Sequence, residues 1–137
     1  MRLRDKVIIV TGAAAGLGEA MTTGFVKEGA TVICGDIDGK GLEKLREKIK
    51  GKGEAIPVIA DVGNENDVER LIGISEEFGG ADVLVNNAGV KQLTLVGEEY
   101  SVAEVPLELW DEVMNTNLRG CFLCTRAVLP GMLNRKK

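Results

Sequence analysis

Residues 6–11, Lys-Val-Ile-Ile-Val-Thr, hold a continuous β-branched run that leads at once into Gly12-Ala13-Ala14-Ala15-Gly16-Leu17-Gly18. Apolar residues at successive rather than alternate positions describe a strand covered on both faces. Such a strand needs helices on each side of its sheet, so the economical architecture is α/β. Glycine makes up 18 of the 137 residues, nearly double the usual share of about 7%, with no collagen-like period. Many backbone positions must therefore turn sharply or approach something closely.

Strand-like and helix-like segments alternate along the rest of the chain. Leu17, Ala20, Met21, Gly24 and Phe25 recur at helical spacing, and Gly29 closes that helix. Residues 31–35 read as a second buried strand. Leu42, Leu45 and Ile49 mark a second helix with charged residues opposite. Residues 55–60 read as a third strand, which Pro57 assigns to a sheet edge. Val68, Leu71, Ile72 and Ser75 mark a helix over 67–78, and Val83-Leu84-Val85 a fourth strand. Residues 91–105 read as an irregular polar loop. Pro106 then opens a long helix at a first-turn position, with Leu109, Trp110, Val113, Leu118, Phe122, Val128 and Met132 as its apolar residues and a kink expected at Pro130. The tally, β-α-β-α-β-α-β-α, predicts one domain over residues 1–137 built as a doubly wound parallel sheet.

Thr11-Gly12-x-x-x-Gly16-x-Gly18 sits between the first strand and its helix. Gly12 permits a tight turn, Gly16 lets backbone approach a pyrophosphate, and Gly18 lets helix and strand pack closely. The helix N-terminus offers unpaired N–H groups and partial positive charge to an anion. Ala13, Ala14 and Ala15 keep the loop bare. No Lys follows in the register of a nucleoside triphosphate loop. The loop residues Thr11, Gly12, Ala15, Gly16, Leu17 and Gly18 are thus candidate cofactor contacts. The bland alternative is an ordinary strand–helix turn.

Asp36 ends the second strand, 18 residues beyond Gly18. A carboxylate at that tip accepts from adenosine ribose hydroxyls and repels a 2′-phosphate. No Arg or Lys stands at 13–15 or beside Asp36 to receive such a phosphate, so NAD is favoured over NADP. Ile37 lies beside it at the same tip. A cap or loop carboxylate is the competing reading of Asp36.

The net charge of -4 and the lack of a basic stripe argue against a nucleic-acid partner. The one basic cluster, 135–137, suits the C-terminal end of a helix. With no His, imidazole chemistry and imidazole metal ligation are excluded from these residues, and no metal is expected. Cys34, Cys121 and Cys124 are read as buried thiols, the C-x-x-C pair lying in an apolar helix. Three unpaired cysteines and no signal-like or membrane-spanning run suggest a cytoplasmic chain.

Taken together, these residues resemble the short-chain dehydrogenase/reductase family. Thr11-Gly12-x-x-x-Gly16-x-Gly18, Asp61-Val62 after the third strand, Asn86-Asn87-Ala88-Gly89 after the fourth, and Trp110-Asp111 with Asn117-Leu118-x-Gly120 fall in family order over nearly the whole chain. The resemblance implies a Rossmann-type dinucleotide-binding unit. It makes Asp61 and Val62 adenine contacts, and places Asn87, Ala88 and Gly89 against a ribose. Asn117 becomes a member of a proton relay. For Asp61 a helix cap remains the rival, for the Asn pair a structural role, and for Asn117 a helix kink that frees a backbone carbonyl.

The family's catalytic Ser and Tyr-x-x-x-Lys follow a fifth strand, beyond Lys137. The only tyrosine here, Tyr100, has Glu104 in place of that lysine and reads as loop surface. Without a positioned acid, about 10²–10⁴ in rate is lost. The expectation is a chain that binds nicotinamide dinucleotide without turnover. Alternatives are a non-catalytic nucleotide-binding or assembly module, or one half of a split enzyme. Residues 83–85 would form an apolar sheet edge, so a homodimer or larger assembly through that strand and the last helix is expected. Replacing Asp36→Ala together with Ile37→Arg should raise NADP affinity relative to NAD; an unchanged ratio of the two dissociation constants would remove the argument from Asp36.

Overall fold

The computed structural model describes residues 1–51 and 53–136. Lys52, and Lys137 at the end of the basic cluster 135–137, lie outside the described residues. The elements are β1 (Val7–Thr11), α1 (Gly16–Lys27), β2 (Thr31–Asp36), α2 (Gly39–Ile49), β3 (Glu54–Ile59), α3 (Glu65–Glu76), β4 (Val83–Val85), α4 (Gln92–Val96), α5 (Leu107–Met114) and α6 (Gly120–Arg135). A π-helical turn, Asn115–Arg119, joins α5 to α6.

The four strands run parallel in the order β3-β2-β1-β4. From β1 the chain winds outward through β2 to β3. Helix α3 then carries it back across the sheet, so that β4 pairs with the other side of β1. The winding direction reverses at β1, and at such a reversal the loops at the carboxyl ends part to leave a crevice. Thr11, Asp36 and Val85 end their strands around that point. Both edge expectations hold: β3, with its Pro57, and β4 are the outer strands.

Successive side chains of β1 and β2 feed opposite faces, and each face has its own core. Ile9, Ile33, Val58, Leu71, Ile72, Leu123, Cys124 and Val128 pack together under α3 and α6. Ile8, Val10, Val32, Leu42, Leu45, Ile49 and Val26 pack together under α1 and α2. Burial on both faces is the physical reason the β1 and β2 sequences do not alternate.

Several details depart from the sequence reading. Helix α1 buries Gly18, Thr22 and Val26 rather than the Leu17–Ala20–Gly24 face, and Leu17 is 76% exposed. The small residue at 18 brings the helix against the end of β1, and that contact turns Leu17 outward. Residues 91–105 include the short helix α4. Pro106 is the N-cap of α5, one residue before its first turn. The long last helix departs from regular bonding at Asn115–Arg119, whereas α6 continues on both sides of Pro130. A π turn takes in an extra residue and rotates everything beyond it. The inward face of α6 is therefore Gly120, Leu123, Cys124 and Val128, while Leu118 and Phe122 are exposed; Trp110, on α5 ahead of the turn, is exposed as well. The same rotation exposes Cys121, against expectation; Cys34 and Cys124 are buried. Burial pushes the Cys34 thiol up to about 12 and the Cys124 thiol to about 11, so both remain protonated at neutral pH.

Among the described residues no helix is long and apolar enough to cross a membrane. No group of three or more His, Cys, Asp or Glu side chains among them is placed to hold a metal ion.

Candidate functional site

The loop after β1 is shaped by what its glycines must avoid. Gly12 has φ +64°, and a Cβ there would come within 2.8 Å of the Ala88 backbone. A Cβ on Gly18 would overlap the Gly12 carbonyl oxygen and press on Asn87. Gly16 differs: its φ is +57°, yet nothing lies within 4 Å of where its Cβ would stand. Two glycines are thus required by the protein's own packing. The third holds the left-handed conformation beside open space.

Helix α1 begins at that open space with Ala15 as N-cap, and Ala15 supplies no side-chain cap. By contrast, Asp38 caps α2 through the Gly41 amide and Asn64 caps α3 through the Asp67 amide. The first-turn amides of a helix need an acceptor, and an alanine cannot be one. An uncapped N-terminus beside the open space at Gly16 is suited to an external anion.

Asp36 is half-buried at the tip of β2. Its Oδ2 accepts from the Ala14 amide at 2.9 Å, and its Oδ1 accepts from the Asp38 amide at 2.9 Å. The side chain therefore ties the loop after β1 to the tip of β2. It does not cap α2, because Asp38 does that. A carboxylate has about four acceptor positions, so two backbone bonds leave capacity for ribose hydroxyls. Ile37 is exposed beside it.

Asn87 joins β4 to β1. Its Nδ2 donates to the carbonyls of Thr11 and Gly12, each at 3.0 Å. The Thr11 hydroxyl in turn accepts from the Asn87 and Ala88 amides at 3.1 and 3.0 Å. Asn86 points the other way and donates to Thr125 Oγ1 on α6 at 3.1 Å.

On the opposite wall, Asp61 follows β3. Its Oδ1 accepts from the Gly63 amide at 2.8 Å, and its own amide donates to Asp67 Oδ2 at 2.9 Å. The helix cap belongs to Asn64, not to Asp61. The Asp61 amide, aided by Arg70, holds the Asp67 carboxyl below its ordinary value. With a lowered folded pKa, this contact's contribution is complete above the ordinary carboxylate range. It is lost as pH falls through the lowered value.

Asn117 lies in the π-helical turn. Its Oδ1 accepts from the Val90 amide and its Nδ2 donates to the Val90 carbonyl, both at 2.7 Å. The carboxamide thus pins the segment after β4 rather than standing free, and the interruption of regular helical bonding falls at this Asn, as a kink reading requires.

A cleft of about 260 Å³ gathers these parts. Gly12, Asp36, Ile37, Asp61, Val62, Ala88 and Gly89 line it. Ala15, Gly16, Leu17 and Gly18, at the N-cap and first turn of α1, are not among its lining residues, nor are Thr11 and Asn87. Val90, Leu95, Glu112, Asn115 and Thr116 also line it, and the sequence reading missed them. The only available signal was the polar run Asn115-Thr116-Asn117 inside an apolar helix, of which one member was singled out.

The sequence model of the family described as "short chain dehydrogenase" matches residues 6–137. The chain is 38% identical over 138 residues to the 3-oxoacyl-[acyl-carrier-protein] reductase FabG of Thermotoga maritima, covering 99% of this chain and 54% of that protein. It is 35% identical over 133 residues to D-xylose 1-dehydrogenase of Caulobacter vibrioides, covering 97% of this chain and 50% of that protein. Among solved structures, the 3-ketoacyl-(acyl-carrier-protein) reductase of Brucella melitensis complexed with NADH superposes with a TM-score of 0.87 at 34% identity, covering 97% of this chain and 52% of that one. Levodione reductase superposes with a TM-score of 0.89 at 31% identity, covering 98% and 52%. The chain spans about half the length of the curated relatives it matches.

Replacing Asn87→Ala leaves the Thr11 and Gly12 carbonyls without their donor. The unfolding free energy should fall by about 1–3 kcal/mol, read by urea denaturation. A change below about 0.5 kcal/mol, within the range of ordinary surface substitutions, would show that the two bonds do not hold the loop.

Proposed function

The chain belongs to the short chain dehydrogenase family, and we propose that it is a nicotinamide-dinucleotide-binding unit with a preference for NAD(H). The observation that carries this reading is the uncapped start of α1 beside the open left-handed Gly16. In this reading the amides at the start of α1 hold the pyrophosphate, and Asp36 accepts from the adenosine ribose. Ile37, Asp61 and Val62 form the adenine pocket, and Asn87, Ala88 and Gly89 bring backbone against the second ribose. Leu17, exposed at the start of α1, offers apolar surface beside the pyrophosphate in this reading. The NADH in the Brucella reductase structure supports a nicotinamide dinucleotide as the ligand class. The preference for NAD rests on Asp36 and on the lack of a cation in the loop.

When bound, the nicotinamide supplies the hydride chemistry between an alcohol and a ketone; the chain's residues hold and orient it. Asn117 contributes by fixing Val90 and by its place at the interrupted helix, where a relay would take a backbone carbonyl. Nothing in the 137 residues matches Tyr-x-x-x-Lys. The isolated chain is accordingly proposed to bind cofactor without turning over a substrate. The three unpaired cysteines support a cytoplasmic setting.

The isolated chain is also proposed to self-associate. Strand β4 is a sheet edge with Val83 exposed, and α6 presents Phe122, Leu129 and Leu133 to solvent. An unpaired strand edge and an uncovered apolar helix face both favour pairing with another copy.

Calorimetric titration should show one NADH per chain and weaker NADPH binding. Gly16→Ala should weaken NADH roughly tenfold. Its folding cost should stay near the ~1–2 kcal/mol of left-handed strain, because the added Cβ meets no protein atom. Absence of NADH binding at millimolar ligand would contradict the reading. Sedimentation velocity should show a dimer or larger species, and a monodisperse monomer at high concentration would refute the association.

A further inference from the structure

The turn Asp61–Gly63 lies at the end of an outer strand, with Asp61 exposed and Val62 and Gly63 buried. It follows β3, which pairs only with β2, so no strand beyond β3 steadies it. Its internal bonds are short-range: Gly63 N to Asp61 Oδ1, and Asn64 N to the Asp61 carbonyl at 3.0 Å. It is tied to α3 by the Asp61 amide on Asp67 and to the core by Val62, and its Gly63 carbonyl is held from the π-helical turn more than fifty residues later. Arg119 Nη1 donates to the Gly63 carbonyl at 3.0 Å and to Asn115 Oδ1 at 3.1 Å. Asn115 lies so close to Gly63 that a Cβ there would overlap its Nδ2. Val62 packs against Gly120, where an added Cβ would approach the Val62 Cγ2 to 2.5 Å.

Asn115 and Arg119 are paired by a side-chain bond across the whole π-helical turn. One guanidinium thereby orients the Asn115 carboxamide, which lines the cleft, and anchors the turn that carries Asp61 and Val62. Arg119 itself does not line the cleft. We propose that Arg119 is a positioning residue for the adenine end of the cofactor cleft, acting through Gly63 and Asn115. This rests on the dinucleotide-binding reading of the site. The π-helical turn then serves two walls at once. Asn117 pins Val90 on one side, and Arg119 pins Gly63 on the other.

The test compares the whole chain with Arg119→Met and Arg119→Lys, using ADP-ribose, reduced nicotinamide mononucleotide and NADH as calorimetric ligands. Arg119→Met should raise the ADP-ribose dissociation constant about tenfold, the scale of one charged hydrogen bond, and leave the mononucleotide unchanged. Arg119→Lys keeps a cationic donor and should restore ADP-ribose binding to within about threefold. Unchanged ADP-ribose binding in Arg119→Met would overturn the inference alone. So would an equal loss for ADP-ribose and the mononucleotide, because that reports general loosening. A wild-type chain that binds neither NADH nor ADP-ribose would instead overturn the cofactor reading, and the inference with it.

Discussion

The site depends on how closely α1 presses against the end of β1. Gly18 stands where a side chain would overlap the Gly12 carbonyl, and Asn87 reaches from β4 to hold that same carbonyl. These contacts decide where the first turn of α1 points. They also decide that Gly16 faces open space and that Leu17 faces outward. A bulkier residue at 18 would swing the helix away and dissolve the cradle without touching any ligand. Catalytic and binding groups are commonly held by a rigid sheet whose loops carry the chemistry. Here the rigid element is the β2-β1-β4 triplet, and the loops are tied to it by side-chain carboxamides and one carboxylate.

That arrangement gives several polar residues two tasks. Asp36 accepts from the Ala14 amide, so the group proposed to hold a ribose also shapes the loop after β1. Asn117 spends both ends of its carboxamide on Val90 while the surrounding helix takes an irregular turn. Asp67 holds the amide of Asp61 and belongs to the first turn of α3. Preorganised sites have this character: the groups near a ligand are fixed by bonds that persist without it. A change at any of them alters the loop as well as the contact.

Much of this was legible in the residues, for identifiable reasons. The consecutive β-branched residues of β1 and β2 could only belong to strands covered on both faces, and Pro57 could only sit at an edge. Gly12, Gly16 and Gly18 marked the turn because each spacing has a backbone meaning. The helix faces were harder. The α1 pattern suggested Leu17 as core, but the inward face is decided by Gly18, whose importance lies in the side chain it lacks. Beyond Met114 the periodicity misled because a π-helical turn adds a residue to the count. Phe122 and Cys121 rotated outward and Leu123 inward, while Cys124 is buried as expected. Nothing in a 3.6-residue period announces such an insertion. The bond from Arg119 to the Gly63 carbonyl was invisible for another reason: it joins segments far apart in the chain, and only the fold brings them together.

The central claim is that backbone amides at the start of α1 hold a diphosphate. Amide chemical shifts of the nitrogen-15-labelled chain, followed during NADH titration, test it most directly. The account predicts that the largest saturable shifts fall on Ala15, Gly16, Leu17 and Gly18, with Ala14 and Ile37 following. Saturable binding that leaves those amides unmoved would contradict it.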